Sequence, residues 1–236
     1  MHALIVYAHP EPASFTGALK DRAVEALIRA GHTVEVSDLY AERFDPVAGR
    51  HDFTSVVNPE RFHYQSEQEH AARNGTFAPE IRREQERVSM ADLLVLQFPL
   101  WWGGTPAILK GWIDRVLAYG FAYVDGTRFD TGLFKGRRAL FSVTTGGTPQ
   151  RFTKEGVYGE IGTVLYPVER LLLQYMGFEV LPPFVAYAAP RVSDGERQAY
   201  LDNWEATVLK AAAIPVSHEK VNFSAAVGSG AWGTQR

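Results

Sequence analysis

The sequence predicts an α/β protein, an open doubly wound sheet of five parallel strands with helices on both faces. Three observations carry this expectation. Short apolar runs at residues 3–7, 93–98 and 138–143 read as strands buried on both faces. Amphipathic helical stretches alternate with them. Gly, Pro, Ser and Thr gather just after the predicted carboxyl ends of the strands, where open α/β sheets bind their ligands. At 236 residues the chain has room for a substantial core. We expect residues 1–213 to form one domain with an insertion at 41–79, and 214–236 to form an irregular tail that wraps over the surface or a partner subunit.

Residues 3–7 (ALIVY) are the first strand. Residues 17–30 are a helix with Ala18, Leu19, Ala23, Leu27 and Ile28 on its apolar face and Gly31 at its end, and residues 33–36 are a second strand. Such a βαβ unit is almost always right-handed. In the loop from His9 to Thr16, the hydroxyls of Ser14 and Thr16 stand near helix amides that lack intrahelical partners. That is a generic phosphate site, and a simple helix cap is the alternative use of either hydroxyl.

Residues 41–79 turn polar and irregular, yet they retain Phe44, Phe53, Phe62, Tyr64 and Phe77, which favours a functional insertion over a linker. Residues 80–90 predict a charged amphipathic helix and 93–98 the third strand, ended by Pro99. Thr105 as N-cap and Pro106 at the first helical position predict a helix to about Leu117, burying Ile108, Leu109, Trp112, Ile113 and Val116. Between strand and helix lies Leu100-Trp101-Trp102-Gly103-Gly104. Two adjacent tryptophans in an extended segment face opposite ways, so both cannot be core; with the glycines they suit a flat ligand.

Residues 138–143 form the fourth strand, ending in Thr144-Thr145-Gly146-Gly147-Thr148, again a source of free amides. Residues 167–176 predict a helix closed by Gly177, 178–181 begin a fifth strand, and Asp194 caps a last helix to about Ala213.

The totals exclude several classes. A net charge of −3 without basic runs gives no electrostatic case for nucleic acid or an anionic membrane. The absence of cysteine removes disulfides, thiolate metal ligands and a cysteine nucleophile. No metal is expected, because His2, His32, His51, His70 and His218 lack ligand spacing. Glu11 and Asp38 read as loop or cap residues rather than a catalytic pair. With no secretory signal or apolar run long enough for a bilayer, a cytoplasmic, soluble protein is expected.

There is neither a GxGxxG fingerprint nor a P-loop. Five strands with this spacing and a hydroxyl-rich first loop suit a flavodoxin-like three-layer sandwich of strand order 2-1-3-4-5, whose switch point binds a flavin. The first loop would take phosphate, the Trp-Trp-Gly-Gly loop the isoalloxazine, and the Thr-Thr-Gly-Gly loop its pyrimidine side.

The segments LIVYAHPEPASF, SDLYAERFDP, QFPLWWGGTPAILKGWIDRV and SVTTGG, with the helix ending at Gly177-Phe178, resemble the NAD(P)H:quinone oxidoreductase family of the DT-diaphorase type up to about Trp204. The resemblance implies a homodimer holding FAD, with FMN the lesser alternative. It also implies ping-pong chemistry, in which NADPH or NADH delivers a hydride, leaves, and is replaced by a quinone; azo and nitro compounds are further acceptors. It maps His9, Phe15, Thr16 and Ala18 near the cofactor's phosphates, and His63 onto a family glutamine. Pro99, Leu100, Trp101, Trp102 and Gly103 fall at the isoalloxazine. Thr144, Thr145, Gly146 and Gly147 fall on the ring's other side, and Arg197 near the adenine. Tyr123 and Asp125 fall in the substrate pocket, with Tyr123 reaching across the dimer interface and Trp102 also facing substrate.

Two departures stand out. Mammalian members carry a tyrosine and a histidine where this chain has Phe152 and Tyr158. Phe152 can pack but not donate, and a phenol is cationic in neither protonation state, so a charge relay is replaced by Tyr158 acting as a neutral donor with backbone amides, Gly146 among them; a packing tyrosine is the alternative. Asp125 replaces a second pocket tyrosine, and Asp125-Gly126 reads as a turn. Two other functions share the fold: a flavodoxin-type electron carrier, and a regulatory flavoprotein subunit of a potassium efflux system.

Overall fold

The computed structural model describes residues 1–216. The parallel strands are β1 (His2–Tyr7), β2 (Thr33–Asp38), β3 (Leu93–Pro99), β4 (Arg138–Thr144) and β5 (Glu179–Val180), in the spatial order β2-β1-β3-β4-β5. This is the expected flavodoxin-like order. A sixth segment not anticipated, β6 (Phe184–Ala186), also pairs with β4. Pro182 and Pro183 separate β5 from β6 because they have no amide to give the ladder, which restricts them to an edge.

Every residue of β3 and β4 is buried. One sheet face, with Leu4, Val6, Leu94, Leu96, Phe98 and Phe141, packs on α3 (Pro79–Met90), α4 (Ala107–Val116) and α5 (Ile161–Val168). The opposite face, with Ile5, Tyr7, Val95 and Leu140, packs on α1 (Phe15–Arg29) and α6 (Asp194–Ala213), where the Trp204 indole donates to the carbonyl of Leu19. Leu19, Ala23 and Leu27 are buried as expected, whereas Ile28 is exposed and Ala26 joins the contact instead.

Several boundaries differ from expectation. The segment 41–79 is not irregular throughout: Tyr64–Asn74 forms a helix, α2, capped by the imidazole of His63 and ended by Gly75 at φ 69°. Its buried face is polar, with Glu67 accepting from the amides of Val57 and Asn58, so hydrophobic periodicity could not mark it. Pro106, extended at ψ 148°, stands outside α4 as its N-cap, and Thr105 makes no capping bond. Ser193, not Asp194, caps α6 through a reciprocal bond pattern with Glu196. The helix expected at 167–176 starts at Ile161 and encloses Pro167. Pro167 cannot donate to its own turn, and the next turn, Glu169–Gln174, widens to π-helical spacing.

A buried ion pair fastens the insertion to α4. Asp52, with no exposure, accepts from Arg115 Nε at 2.8 Å and from the Tyr64 phenol, while Arg115 Nη1 reaches Glu80 at 2.6 Å and the carbonyl of Asp45. Burial and the adjacent carboxylate push the Tyr64 pKa up, so the phenol stays protonated as a donor. Gly111 is required at this junction, because a Cβ would lie 2.2 Å from the carbonyl oxygen of Pro46. Removing one partner leaves the other charge buried and unpaired, so Asp52→Ala is expected to lower unfolding free energy by about 3–5 kcal/mol in urea titrations. A loss below about 1 kcal/mol would show that the pair contributes little.

Candidate active site

Three loops meet at the carboxyl edge of the sheet, and their shared register explains why. Pro99 and Thr144 are paired neighbours at the ends of β3 and β4, and the Leu100 amide then donates to the carbonyl of Thr144 at 2.8 Å. Two adjoining cavities open there, of about 320 Å³ and 520 Å³, sharing Leu100, Thr145 and Gly146 as walls.

The first cavity lies against the start of α1. Ser14 is the N-cap, its hydroxyl accepting from the Gly17 amide at 3.1 Å, so the cap reading of that residue is correct. Thr16 is buried and its hydroxyl pairs with that of Thr144 at 2.9 Å. The amides of Phe15 and Thr16, in the first helical turn, have no partner among the described residues. His9 Nδ1 lies 3.0 Å from the Glu11 amide and 3.1 Å from the Glu11 carbonyl oxygen, which holds the ring against that residue's backbone. Arg197 lies 5.7 Å over the Phe15 ring and ties down the loop after β6 through the carbonyl of Ala189 at 2.7 Å. Pro99 and Trp101 complete the wall.

The Trp-Trp loop is a tight hairpin rather than an extended segment. Trp101 and Gly104 exchange both backbone bonds, at 3.1 and 3.0 Å, and the two central residues have positive φ, Trp102 at 52° and Gly103 at 71°. That is the requirement of a type I′ turn, which favours Asn-Gly and strains a large side chain at its first central position. Trp102 consequently stands wholly in solvent (107% exposed) at the lip of the second cavity, while Trp101 is 43% exposed and lies 6.2 Å from the His9 ring. The amides of Trp102 and Gly103 are also unpartnered among the described residues.

The Thr-Thr-Gly-Gly turn closes on itself through the Thr145 hydroxyl, which accepts from the Gly147 amide at 2.8 Å. Gly147 has no space for a side chain: a Cβ would come within 2.7 Å of Phe152 and 3.2 Å of Tyr158. At Gly146 the reverse holds, since a Cβ there meets nothing within 4 Å, and its amide has no partner among the described residues. Phe152 is 9% exposed and packs on Tyr158 and Tyr187 at 5.2 and 5.6 Å, while Tyr158 remains 49% exposed on the cavity wall.

Four of the residues singled out in the sequence line neither cavity within one chain. Ala18 lies one turn inside α1 with its amide bonded to Ser14. His63 caps α2 beside Tyr119 and Glu69 in a separate cavity of about 210 Å³. Tyr123 packs edge-on against Tyr119 and Tyr175, where burial raises its pKa. Asp125 is exposed in a turn closed by Val124 and Thr127, with Gly126 at φ 83°. Conversely, sequence reasoning missed Ala189, Pro190, Val164 and Arg191. The loop after β6 reaches the site because the amides of Ala188 and Ala189 bond the carbonyls of Gly147 and Thr145. Nothing in its composition announces that. Among the described residues, no cluster of three or more ligating side chains could hold a metal, and no helix is long and apolar enough to cross a membrane.

Comparison with known proteins agrees with this geometry. A family model described as a flavodoxin-like fold matches residues 1–208. Ribosyldihydronicotinamide dehydrogenase (quinone) of Pongo abelii is 47% identical over 216 residues, covering 90% of this chain and 94% of that protein. NAD(P)H dehydrogenase (quinone) 1 of Cavia porcellus is 43% identical over 204 residues, covering 86% and 74%. A crystal structure described as a candidate quinone reductase from Klebsiella pneumoniae superposes with a TM-score of 0.87 at 39% identity, covering 92% of this chain and 86% of that one. With these relatives, this sheet order and this arrangement of loops, the chain belongs to the flavodoxin-like NAD(P)H:quinone oxidoreductase family.

Proposed function

We propose that the chain is a flavin-dependent NAD(P)H:quinone oxidoreductase, reducing quinones by two-electron hydride transfer in a ping-pong cycle, with azo or nitro compounds as further acceptors. The observation that carries this reading is the convergence of unpartnered amides from three loops, at Phe15 and Thr16, Trp102 and Gly103, and Gly146, around two adjoining cavities. These groups fit a flavin: helix amides for phosphate, open space at Gly146 for a flat ring, and donors for its polar edge. A flavin held there supplies hydride acceptance from NADPH or NADH and hydride donation to the quinone.

On this reading His9 and the start of α1 hold phosphate, Trp101 and Leu100 wall the ring, and Gly146 lets it approach the backbone. Tyr158 donates toward the ring edge. Arg197, a cation beyond the helix amides on the wall of the first cavity, favours FAD over FMN. We further propose a homodimer. Tyr166 and Leu171 are exposed on α5 and the π turn that follows it, and Tyr123 lines a third cavity of about 500 Å³ beside Leu172. A second copy over this face covers that apolar surface and carries Tyr123, Asp125 and His63 to the neighbouring site.

The purified protein is expected to show a flavin absorption band that bleaches anaerobically with one equivalent of NADPH or NADH and returns on adding a quinone. A band that persists with both nicotinamides counts against the enzyme and for an electron carrier. Heat-released cofactor should be FAD by mass, and sedimentation should give a dimer; FMN or a monomer would overturn those parts separately. Trp102→Asn makes the turn Asn-Gly, so stability should rise by about 1 kcal/mol in urea titrations. Loss of the ring should raise the quinone KM roughly two- to tenfold, the 0.5–1.5 kcal/mol of an aromatic contact. An unchanged KM removes Trp102 from acceptor binding.

A further inference from the structure

The loop that follows the Thr-Thr-Gly-Gly turn doubles back so that its two ends meet. The Arg151 amide donates to Thr148, that of Gly156 to Thr153, and that of Tyr158 to the carbonyl of Arg151, each at 3.0 Å. Gly156 is enclosed by the return, since a Cβ would lie 2.5 Å from the carbonyl oxygens of Gln150 and Arg151. The side chains meet as well. Arg151 Nη1 donates to the Tyr158 hydroxyl at 3.1 Å, and the guanidinium lies 5.9 Å from the Tyr158 ring centroid. Phe152 supports the same ring from within.

The direction of that bond has a chemical consequence. A guanidinium only donates, whereas a phenol has one proton and lone pairs to accept with. Tyr158 therefore accepts from Arg151, and its own proton is left for another acceptor. None among the described residues takes it. The neighbouring amides of Trp102, Gly103 and Gly146 on this wall are free donors as well. Across the shared wall Arg191 occupies the Gly146 carbonyl, removing an acceptor. The wall thus presents donors backed by a fixed cation, suited to a ligand edge rich in oxygen and nitrogen acceptors on which negative charge develops.

We infer that Arg151 is a positioning residue of this site: by donating to Tyr158 it orients and polarises the phenol, which then donates to the anionic edge of the reduced flavin. The inference rests on the flavin reading above. It assigns the cationic contribution, which Tyr158 cannot make, to a residue seven positions earlier in the chain. The loop is already closed by main-chain bonds and the pair is exposed, so removing the guanidinium should leave the fold intact.

The test uses the flavin-loaded protein and Arg151→Gln, Arg151→Lys, Tyr158→Phe and the Arg151→Gln/Tyr158→Phe double variant, with melting curves as a control. Arg151→Gln and Tyr158→Phe should each lower the preference for reduced over oxidised flavin by about tenfold, the effect of one charge-assisted hydrogen bond. That is a drop of about 30 mV in the two-electron midpoint potential. Sulfite addition to the oxidised flavin, which also places negative charge on the ring, should weaken in parallel. The double variant should match Tyr158→Phe alone, and Arg151→Lys should fall between wild type and Arg151→Gln. An unchanged potential in Arg151→Gln, or a full further drop when it is added to Tyr158→Phe, overturns the inference while leaving the flavin reading in place. Failure to hold either FAD or FMN overturns both.

Discussion

The pairing of β3 with β4 is the constraint on which the rest of the molecule depends. Seven residues of each strand are matched in register and all are buried, so neither strand can slip or tilt without exposing apolar side chains worth about 1.5–3 kcal/mol each. Both strands stop at the same level, and the Leu100 to Thr144 bond ties the first residue beyond one to the last residue of the other. The two loops that wall the cavities therefore start from a fixed common point. Sheet packing thus sets the position of the site, and the loops set its chemistry.

The same division explains what could be read from the sequence. β1, β3 and β4 are continuous apolar runs in a chain that alternates strand with helix, so their identity and order followed from composition and spacing. The three glycine- and hydroxyl-bearing loops were legible because helix starts, prolines and double glycines each have a backbone consequence. α2 was not, since Glu67 and Gln68 fill its buried face and the bonds they satisfy come from residues up to 51 positions away. Nor was the hairpin at Trp101–Gly104, because Trp is among the residues least suited to positive φ. The inference that the two tryptophans cannot both be core holds, but through a left-handed turn rather than strand alternation.

Charge on the insertion serves geometry. Asp52 and Arg115, both buried, gather Tyr64, Glu80 and the Asp45 carbonyl, and so hold residues 45–64 against the helix that begins at the Trp-Trp loop. A second buried carboxylate, Glu84, joins Trp112 of the same helix to Ser37 and Arg87. α4 is consequently anchored on two sides by charged groups as well as by its apolar stripe. Trp102 keeps its left-handed conformation just before this anchored helix, in a hairpin closed by the two Trp101–Gly104 bonds.

The strained turn and the donor-rich wall face the same space. Unpartnered amides at Phe15, Thr16, Trp102, Gly103 and Gly146, with the Tyr158 phenol, give the two cavities a surplus of donors that an acceptor-rich ligand can pair. A tryptophan wholly in solvent at positive φ is incomplete in the apolar sense, since the turn costs about 1–2 kcal/mol and the ring buries nothing. A flat, acceptor-rich ligand between them would pair the amides and cover the indole. A flat ring system with carbonyl oxygens along one edge, as a flavin has, meets both needs together.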